Sequence, residues 1–223
     1  MTSRFIAAME KILWLYALPY DPDYPVLCFD ERPCFLIGDL IEPIAMQTGT
    51  VAKEHYAYQK NGSCALLAAI EPLTGQRIAQ VQPHRRKKEF FLLCQEIARA
   101  YPKAKKIRLV LDNLNTHHES AFYEHLPADE AADLAHRFEF YFTPKSASWL
   151  NMIEIEFSAL ARLCLNRRIP TMDQLESEVM ALIEERSAKK LKINWFFSVT
   201  DCRQKLNKKY AIVNEANVKY TKV

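Results

Sequence analysis

The stretch LVLDNLNTHH, Leu109 to His118, is apolar for three residues and then polar almost without interruption. An apolar run bounded by polar residues reads as a buried strand. A buried strand that ends on Asp112 delivers a carboxylate to the edge of a sheet. The same arrangement occurs earlier, where PVLCFD closes on Asp30. In α/β sheets, sites gather where strands run out and loops begin. A single strand-end aspartate also serves as a turn former or helix cap, so either residue alone says little. Two in one domain say more.

Carboxylates brought close repel one another unless a cation intervenes. Hard divalent cations such as Mg²⁺ take oxygen ligands. A pair of them can activate a water and stabilise a leaving oxygen in phosphoryl transfer. That chemistry calls for a third acidic residue, and PKSASWLNMIEIEF supplies two. Leu150, Ile153, Phe157, Leu160 and Cys164 recur at helical spacing and define a buried stripe. Glu154 and Glu156 fall on opposite shoulders of that stripe. Periodicity does not choose between them, although Glu154 is nearer the helix start.

Around these residues the order of elements is legible. Met1–Leu18 reads as a helix ending before Pro19. YPVLCFDE and PCFLIGDL read as two strands separated by a turn, and 39–59 as a long irregular segment. YQKNGSCALLAAIEPLTG reads as a strand pair, with Asn61-Gly62 as a hairpin turn and 73–75 as a second turn. A helix over 85–100, a strand ending at Asp112, short helices near 119–125 and 129–135, and the strand RFEFYFT follow. Helices over 149–166 and 172–185 complete the main body, the second capped by Thr171. Early strands followed by alternating helices and strands imply an α/β, ribonuclease H-like mixed sheet flanked by helices, with a helical C-terminal extension.

Composition narrows the class. The 223 residues are 49% hydrophobic and 26% charged, as in a globular chain with room for one well-buried domain. KILWLYALPY is too short to cross a membrane and ends at a proline. Cysteines at 28, 34, 64, 94, 164 and 202 show no C-x-x-C spacing and sit mostly in apolar runs, as reduced core residues of a cytoplasmic protein do. From Arg186 to Val223 there are ten Lys/Arg and two Asp/Glu, a surplus of +8; with +3 for the whole chain, the preceding residues carry −5. That basic tail suits a polyanion or a solvated terminus. HRRKKEF, 84–90, is a second basic cluster or simply the polar start of a helix.

Five ordered segments carry a family resemblance: CFDE (28–31), HYAYQKNGSCALLAAIEPLTG (55–75), LVLDNLNTH (109–117), YFTPKSASWLNMIEIEFSALARLCLNRRI (141–169) and INWFFSVTDCRQKL (193–206). The chain resembles the catalytic domain of an IS630-type transposase, in the Tc1/mariner group of DDE superfamily endonucleases. The resemblance implies a ribonuclease H-like fold with Asp30, Asp112 and Glu154 as the catalytic, metal-holding residues, and two Mg²⁺ or Mn²⁺ ions. Glu154 closes the N-x-I-E pattern, and Glu156 falls outside it. Asn113 and His117 match the polar residues after the second aspartate and are expected to support the site. Such enzymes hydrolyse phosphodiesters at transposon ends and join the freed 3′-hydroxyl to target DNA.

The resemblance further implies double-stranded DNA as partner, a homodimer or higher assembly, and a prokaryotic cytoplasmic protein that is nucleoid-associated when bound to DNA. The expected organisation is a helical lead-in (1–22), a catalytic domain (23–185) and a basic extension (186–223). Relatives carry helix-turn-helix modules ahead of the catalytic domain, whereas CFDE here closes at residue 31. A separately encoded helix-turn-helix portion, a truncated copy or a domain fragment is therefore expected. A non-catalytic remnant retaining DNA or partner binding is the alternative, and a nuclease of RNA–DNA hybrids a third class. Arg162, Arg167 and Arg168 are candidates for backbone contacts, and Trp149 for packing or base stacking. His118 is expected at the solvated surface. Trp195, Phe196 and Phe197 are expected to anchor the C-terminal segment. Glu31 alternates away from Asp30 if the strand continues, is left a supporting role from the loop, and stands outside the expected catalytic set.

Overall fold

Alternation along three central strands divides the apolar side chains into two layers. Leu27, Phe29, Leu67, Ala69, Leu109 and Leu111 join one core, and Cys28, Leu66, Ala68, Ile70 and Val110 join the other. A sheet covered on both faces needs apolar residues at successive positions, which is why these strands read as continuous hydrophobic runs. The structure is a computed structural model and describes residues 1–49, 51–53 and 55–220. Five strands, β1 (Val26–Asp39), β2 (Tyr58–Glu71), β3 (Gln76–Gln82), β4 (Ile107–Leu111) and β5 (Phe138–Phe142), form one sheet in the order β3-β2-β1-β4-β5. The β3–β2 and β2–β1 pairings are antiparallel, and the β1–β4 and β4–β5 pairings are parallel. This is a ribonuclease H-like architecture.

Helices cover both faces. The first core is closed by α1 (Ser3–Tyr16), α5 (Ile153–Leu163), α6 (Met172–Ala188) and α7 (Val199–Lys205), and the second by α2 (Lys87–Ala100), α3 (Ser120–Tyr123) and α4 (Ala128–His136). Thr2 caps α1 and Thr171 caps α6 through their side-chain oxygens. The last helices, α7 and α8 (Asn207–Val213), do not fray. Cys202 and Tyr210 are buried, Cys202 Sγ lies 3.4 Å from Met9 Sδ, and Arg203 and Tyr210 both bond Glu10 on α1. Lys205, Lys208 and Lys209 remain exposed on the outer side. All six cysteines are free and buried. Among the described residues, no helix is long and apolar enough to cross a membrane.

Two expectations about the first strands are corrected. The segments either side of Pro33 form one strand, not two. β1 pairs with β4 only over Val26–Cys28, so at Pro33 one side of the strand is open. A proline there can direct its ring to the open side without breaking a ladder. Asn61-Gly62 likewise makes no hairpin. Leu36 pairs with Gly62 and Ile37 with Lys60, so Asn61 is the extra residue of a β-bulge and Gly62 takes φ +121°. A glycine with positive φ serves a bulge as readily as a turn. The bulge is fixed from outside: Asn61 Nδ2 donates to the Pro170 carbonyl at 2.9 Å. The turn at 73–75 forms as expected, with Gly75 at φ +80° and its N–H donating to Glu71.

The helix expected over 149–166 is interrupted. Ser148–Leu150 is a 3₁₀ turn, and α5 starts at Ile153. Asn151 sits in the break, 1% exposed, and donates from Nδ2 to the Phe29 carbonyl at 2.7 Å. Phe196 does not join its neighbours as an anchor: it is 86% exposed, while Trp195 packs edge-on against Tyr16 at 5.4 Å. Trp149 packs edge-on against Phe197.

Candidate functional site

Adjacent parallel strands set the geometry. Val26 of β1 stands opposite Arg108 of β4, and Cys28 opposite Val110. Carried on by two residues, that register sets Asp30 beside Asp112; Asp112 follows the end of β4 as expected, but Asp30 does not close its strand and lies within β1, which runs on to Asp39. Cys28 and Val110 face the same core layer, so alternation directs Asp30 and Asp112 to that side too. Both line one cleft of about 670 Å³. Its other walls are Asn113 and Leu114, the segment 142–148 at and after β5, and Thr2, Arg4, Phe5 and Ala8 at the start of α1. Ser146 in that wall takes φ +63°, a conformation rarely held by a residue with a side chain. Arg4 and Lys145 bring positive charge to the cleft.

Electrostatics mark the same spot. Burial pushes the Asp30 carboxyl up to about 7, and the Asp112, Glu31 and Glu154 carboxylates push in the same direction. The Glu31 N–H, donating to Asp30 Oδ1 at 2.8 Å, opposes them. Like charges crowded at one edge are relieved by a cation. Asp30, Asp112 and Glu154 offer only oxygen, which suits Mg²⁺ or Mn²⁺ and not a soft metal. The donor chemistry therefore fits such ions. The arrangement is open: among the described residues, no three His, Cys, Asp or Glu side chains form a group set to hold a metal.

The two glutamates left unresolved by periodicity have different surroundings. Glu156 is 1% exposed. Arg77 Nη2 donates to its Oε2 at 3.0 Å, and Arg186 donates Nε to Oε1 at 2.8 Å and Nη2 to Oε2 at 3.0 Å. Burial pushes the Glu156 carboxyl up, but the two guanidiniums outweigh it and hold it below its ordinary value. This network ties α5 to β3 and α6. Two residues along a helix are about 200° apart, so Glu154 points away from it. Glu154 is exposed in the first turn of α5, off the cleft wall yet near enough to raise Asp30.

His117 is buried, not a surface residue. Its Nδ1 lies 2.5 Å from Asp112 Oδ1 and its Nε2 2.7 Å from Glu31 Oε2. Burial alone would lower the imidazolium, but the bond to Asp112 and the contact with Glu31 outweigh it and hold it up at about 9. Asn113 is exposed on the cleft wall. His118 is half-buried, its ring 4.9 Å from that of Phe142. Of the three arginines singled out, Arg168 is engaged by Asp39 and the His55 carbonyl and Arg167 by Glu178, while Arg162 stands exposed. Arg85, Arg86 and Lys88 are exposed at the start of α2.

Sequence reasoning missed Asn151 and left Glu31 with no more than a supporting role. Strand alternation placed Glu31 on the far face from Asp30, where it is, but gave no sign that a histidine five residues beyond Asp112 would fold back to meet it. Asn151 stood in the motif quoted for Glu154. Its signal was a polar residue on the apolar stripe just before the helix.

A ribonuclease H-like sheet with Asp30 and Asp112 lining one cleft defines the class of protein. Residues 25–176 match the family model described as DDE superfamily endonuclease, and the chain belongs to that family. No curated protein matches it. Among solved structures it is similar to the Mos1 mariner paired end complex with Mn (12% identity, TM-score 0.51, covering 88% of this chain and 64% of that one). It is also similar to the Mos1 mariner paired end complex with Mg (12%, 0.52, 100% and 65%). A third is the Mos1 Strand Transfer Complex (11%, 0.52, 83% and 58%). At these identities the likeness is one of fold, and the chain spans less than two thirds of each of those chains.

Proposed function

We propose that this chain is the catalytic domain of an IS630-type transposase of the Tc1/mariner group, cleaving DNA strands and transferring them during transposition. The observation that supports the reading is that Asp30 of β1 and Asp112, just past the end of β4, line one cleft, with Glu154 close enough to raise Asp30. These three residues would hold two Mg²⁺ or Mn²⁺ ions. When bound, the ions supply an activated nucleophile, water or a DNA 3′-hydroxyl, and charge stabilisation at the leaving oxygen. The chain's own part is to hold the carboxylates on anchored backbone: Asp30 within β1, Asp112 just past β4 and Glu154 in the first turn of α5. Arg4 and Lys145 draw the DNA backbone to the cleft mouth, since phosphate contacts position the duplex. His117 holds Asp112, and Asn113 contacts the substrate from the cleft wall.

In this reading, 1–22 is a helical lead-in, 23–185 the catalytic domain and 186–223 a basic extension that meets DNA with its exposed lysines. The partners are transposon-end and target duplexes, a second copy of the chain, and a helix-turn-helix portion in the same or another chain. The similar structures include Mos1 paired end complexes with Mn and with Mg and a Mos1 strand transfer complex, which supports this choice. The test is cleavage of transposon-end duplex in Mn²⁺, with the helix-turn-helix portion supplied, comparing wild type with Asp112→Asn. Metal-dependent cleavage abolished by the substitution supports the reading, and inert wild type under those conditions overturns it. A second reading, a domain that binds DNA or a partner chain without cutting, draws on Glu154 standing exposed off the cleft wall. DNA binding without cleavage by wild type and Asp112→Asn alike is its expected result.

A further inference from the structure

His117 stands between two carboxylates on opposite sides of the sheet edge. Its side chain is 2% exposed and that of Glu31 4%. The ring is walled by Phe29 and Phe90, with centroids 5.1 and 5.2 Å away. Each ring nitrogen faces a carboxylate oxygen, Nδ1 that of Asp112 and Nε2 that of Glu31. Glu31 lines no part of the cleft, and its Oε2, though 2.7 Å from Nε2, makes no well-aligned hydrogen bond. A carboxylate buried under such terms adds little to stability compared with an apolar residue of its size. Its evident use is the direction it imposes on the ring.

We propose that Glu31 is a positioning residue for the Asp112 carboxylate, acting through His117. Glu31 fixes the imidazole so that Nδ1 faces Asp112; Nδ1 in turn holds Oδ1 against the sheet edge and leaves Oδ2 to the cleft. Partners one step behind a ligand orient it and are felt in metal affinity. The proposal rests on the reading of Asp112 as a metal ligand.

The test follows thermal unfolding of the full chain against Mn²⁺ concentration in wild type, D112N, E31Q, H117Q and the double variant E31Q/H117Q. Wild type should gain melting temperature with Mn²⁺, and D112N should gain little. E31Q should melt within a few degrees of wild type without metal, yet need roughly tenfold to a hundredfold more Mn²⁺ for half its gain. H117Q should behave alike, and the double variant no worse than the poorer single one, because both changes break one chain of contacts. An unchanged Mn²⁺ midpoint in E31Q, or shifts that multiply in the double variant, would overturn the proposal. If E31Q does not fold, E31D keeps the charge one methylene short of His117: a partial shift is expected, and no shift refutes it. If wild type ignores Mn²⁺ as D112N does, the metal reading of Asp112 falls and takes this proposal with it. A responsive wild type with an indifferent E31Q removes Glu31 alone.

Discussion

Two glutamates two residues apart on α5 should fail in opposite ways. Glu156→Gln leaves the Arg77 side chain, 2% exposed, and that of Arg186, 17% exposed, facing a neutral amide. Removing one partner of a buried ion pair costs about 3–5 kcal/mol, because the remaining charge stays desolvated. At ~2–4 °C per kcal/mol for a chain of this size, the melting midpoint should fall by ~6–20 °C. Glu154→Gln alters an exposed side chain with no ion pair among the described residues. Its effect on stability should stay within about 0.5 kcal/mol. The assay is thermal unfolding by circular dichroism, followed by cleavage of transposon-end duplex well below both midpoints, with the helix-turn-helix portion supplied. Glu156→Gln should retain cleavage and Glu154→Gln should lose it. A Glu156→Gln protein that melts with wild type would refute the account of α5. A folded but inert Glu156→Gln beside an active Glu154→Gln would reverse the assignment of the third acid.

Asn151→Ala strips the Phe29 carbonyl of its buried donor, at about 1–3 kcal/mol. It should lower the midpoint by several degrees and weaken cleavage, since that bond ties α5 to the strand carrying Asp30; unchanged melting and cleavage would contradict this. The hydrogen bond from Arg203 holds the Glu10 carboxyl below its ordinary value of 4.5. Glu10 therefore keeps its charge in acid where the unfolded chain takes up a proton, so its stabilisation is present above pH 4.5 and is lost as pH falls below that value. Glu10→Gln should melt lower than wild type at pH 7, and the two should converge in acid. Gly75→Ala should destabilise well beyond Gly49→Ala. Both glycines have positive φ, but a Cβ at Gly75 meets the Leu191 and Lys190 backbone at 2.9 Å, while one at Gly49 meets nothing within 4 Å. Equal melting shifts would contradict that ranking.

The residues that sequence could read and those it could not divide on physical lines. β4 and the strand up to Asp30 are apolar at successive positions because both faces are covered, and such runs announce themselves. Thr171 and the 73–75 turn were readable because capping and tight turns have local chemistry. Pro33 and Asn61-Gly62 misled because their outcome depends on neighbours: β4 ends early beside one, and Pro170 reaches across to the other. At the cleft, Asp30 and Asp112 are both visible as the first acid after an apolar run, although only Asp112 follows a strand's end and Asp30 lies within β1. Their side-by-side register needed the sheet order, which no local pattern holds. Glu154 and Glu156 were inseparable until Arg77 and Arg186, far away in sequence, took Glu156 into the core. Glu31 and His117 meet across the sheet edge for the same reason.

The most direct test of the central claim is anomalous diffraction at the manganese edge from crystals of the full chain soaked in Mn²⁺, alongside the Asp30→Asn variant. The account predicts anomalous density at Asp30 and Asp112, with the exposed carboxylate of Glu154 drawn to it, and loss of that density in Asp30→Asn. Well-ordered crystals in which manganese binds elsewhere, or leaves these carboxylates bare, would contradict it.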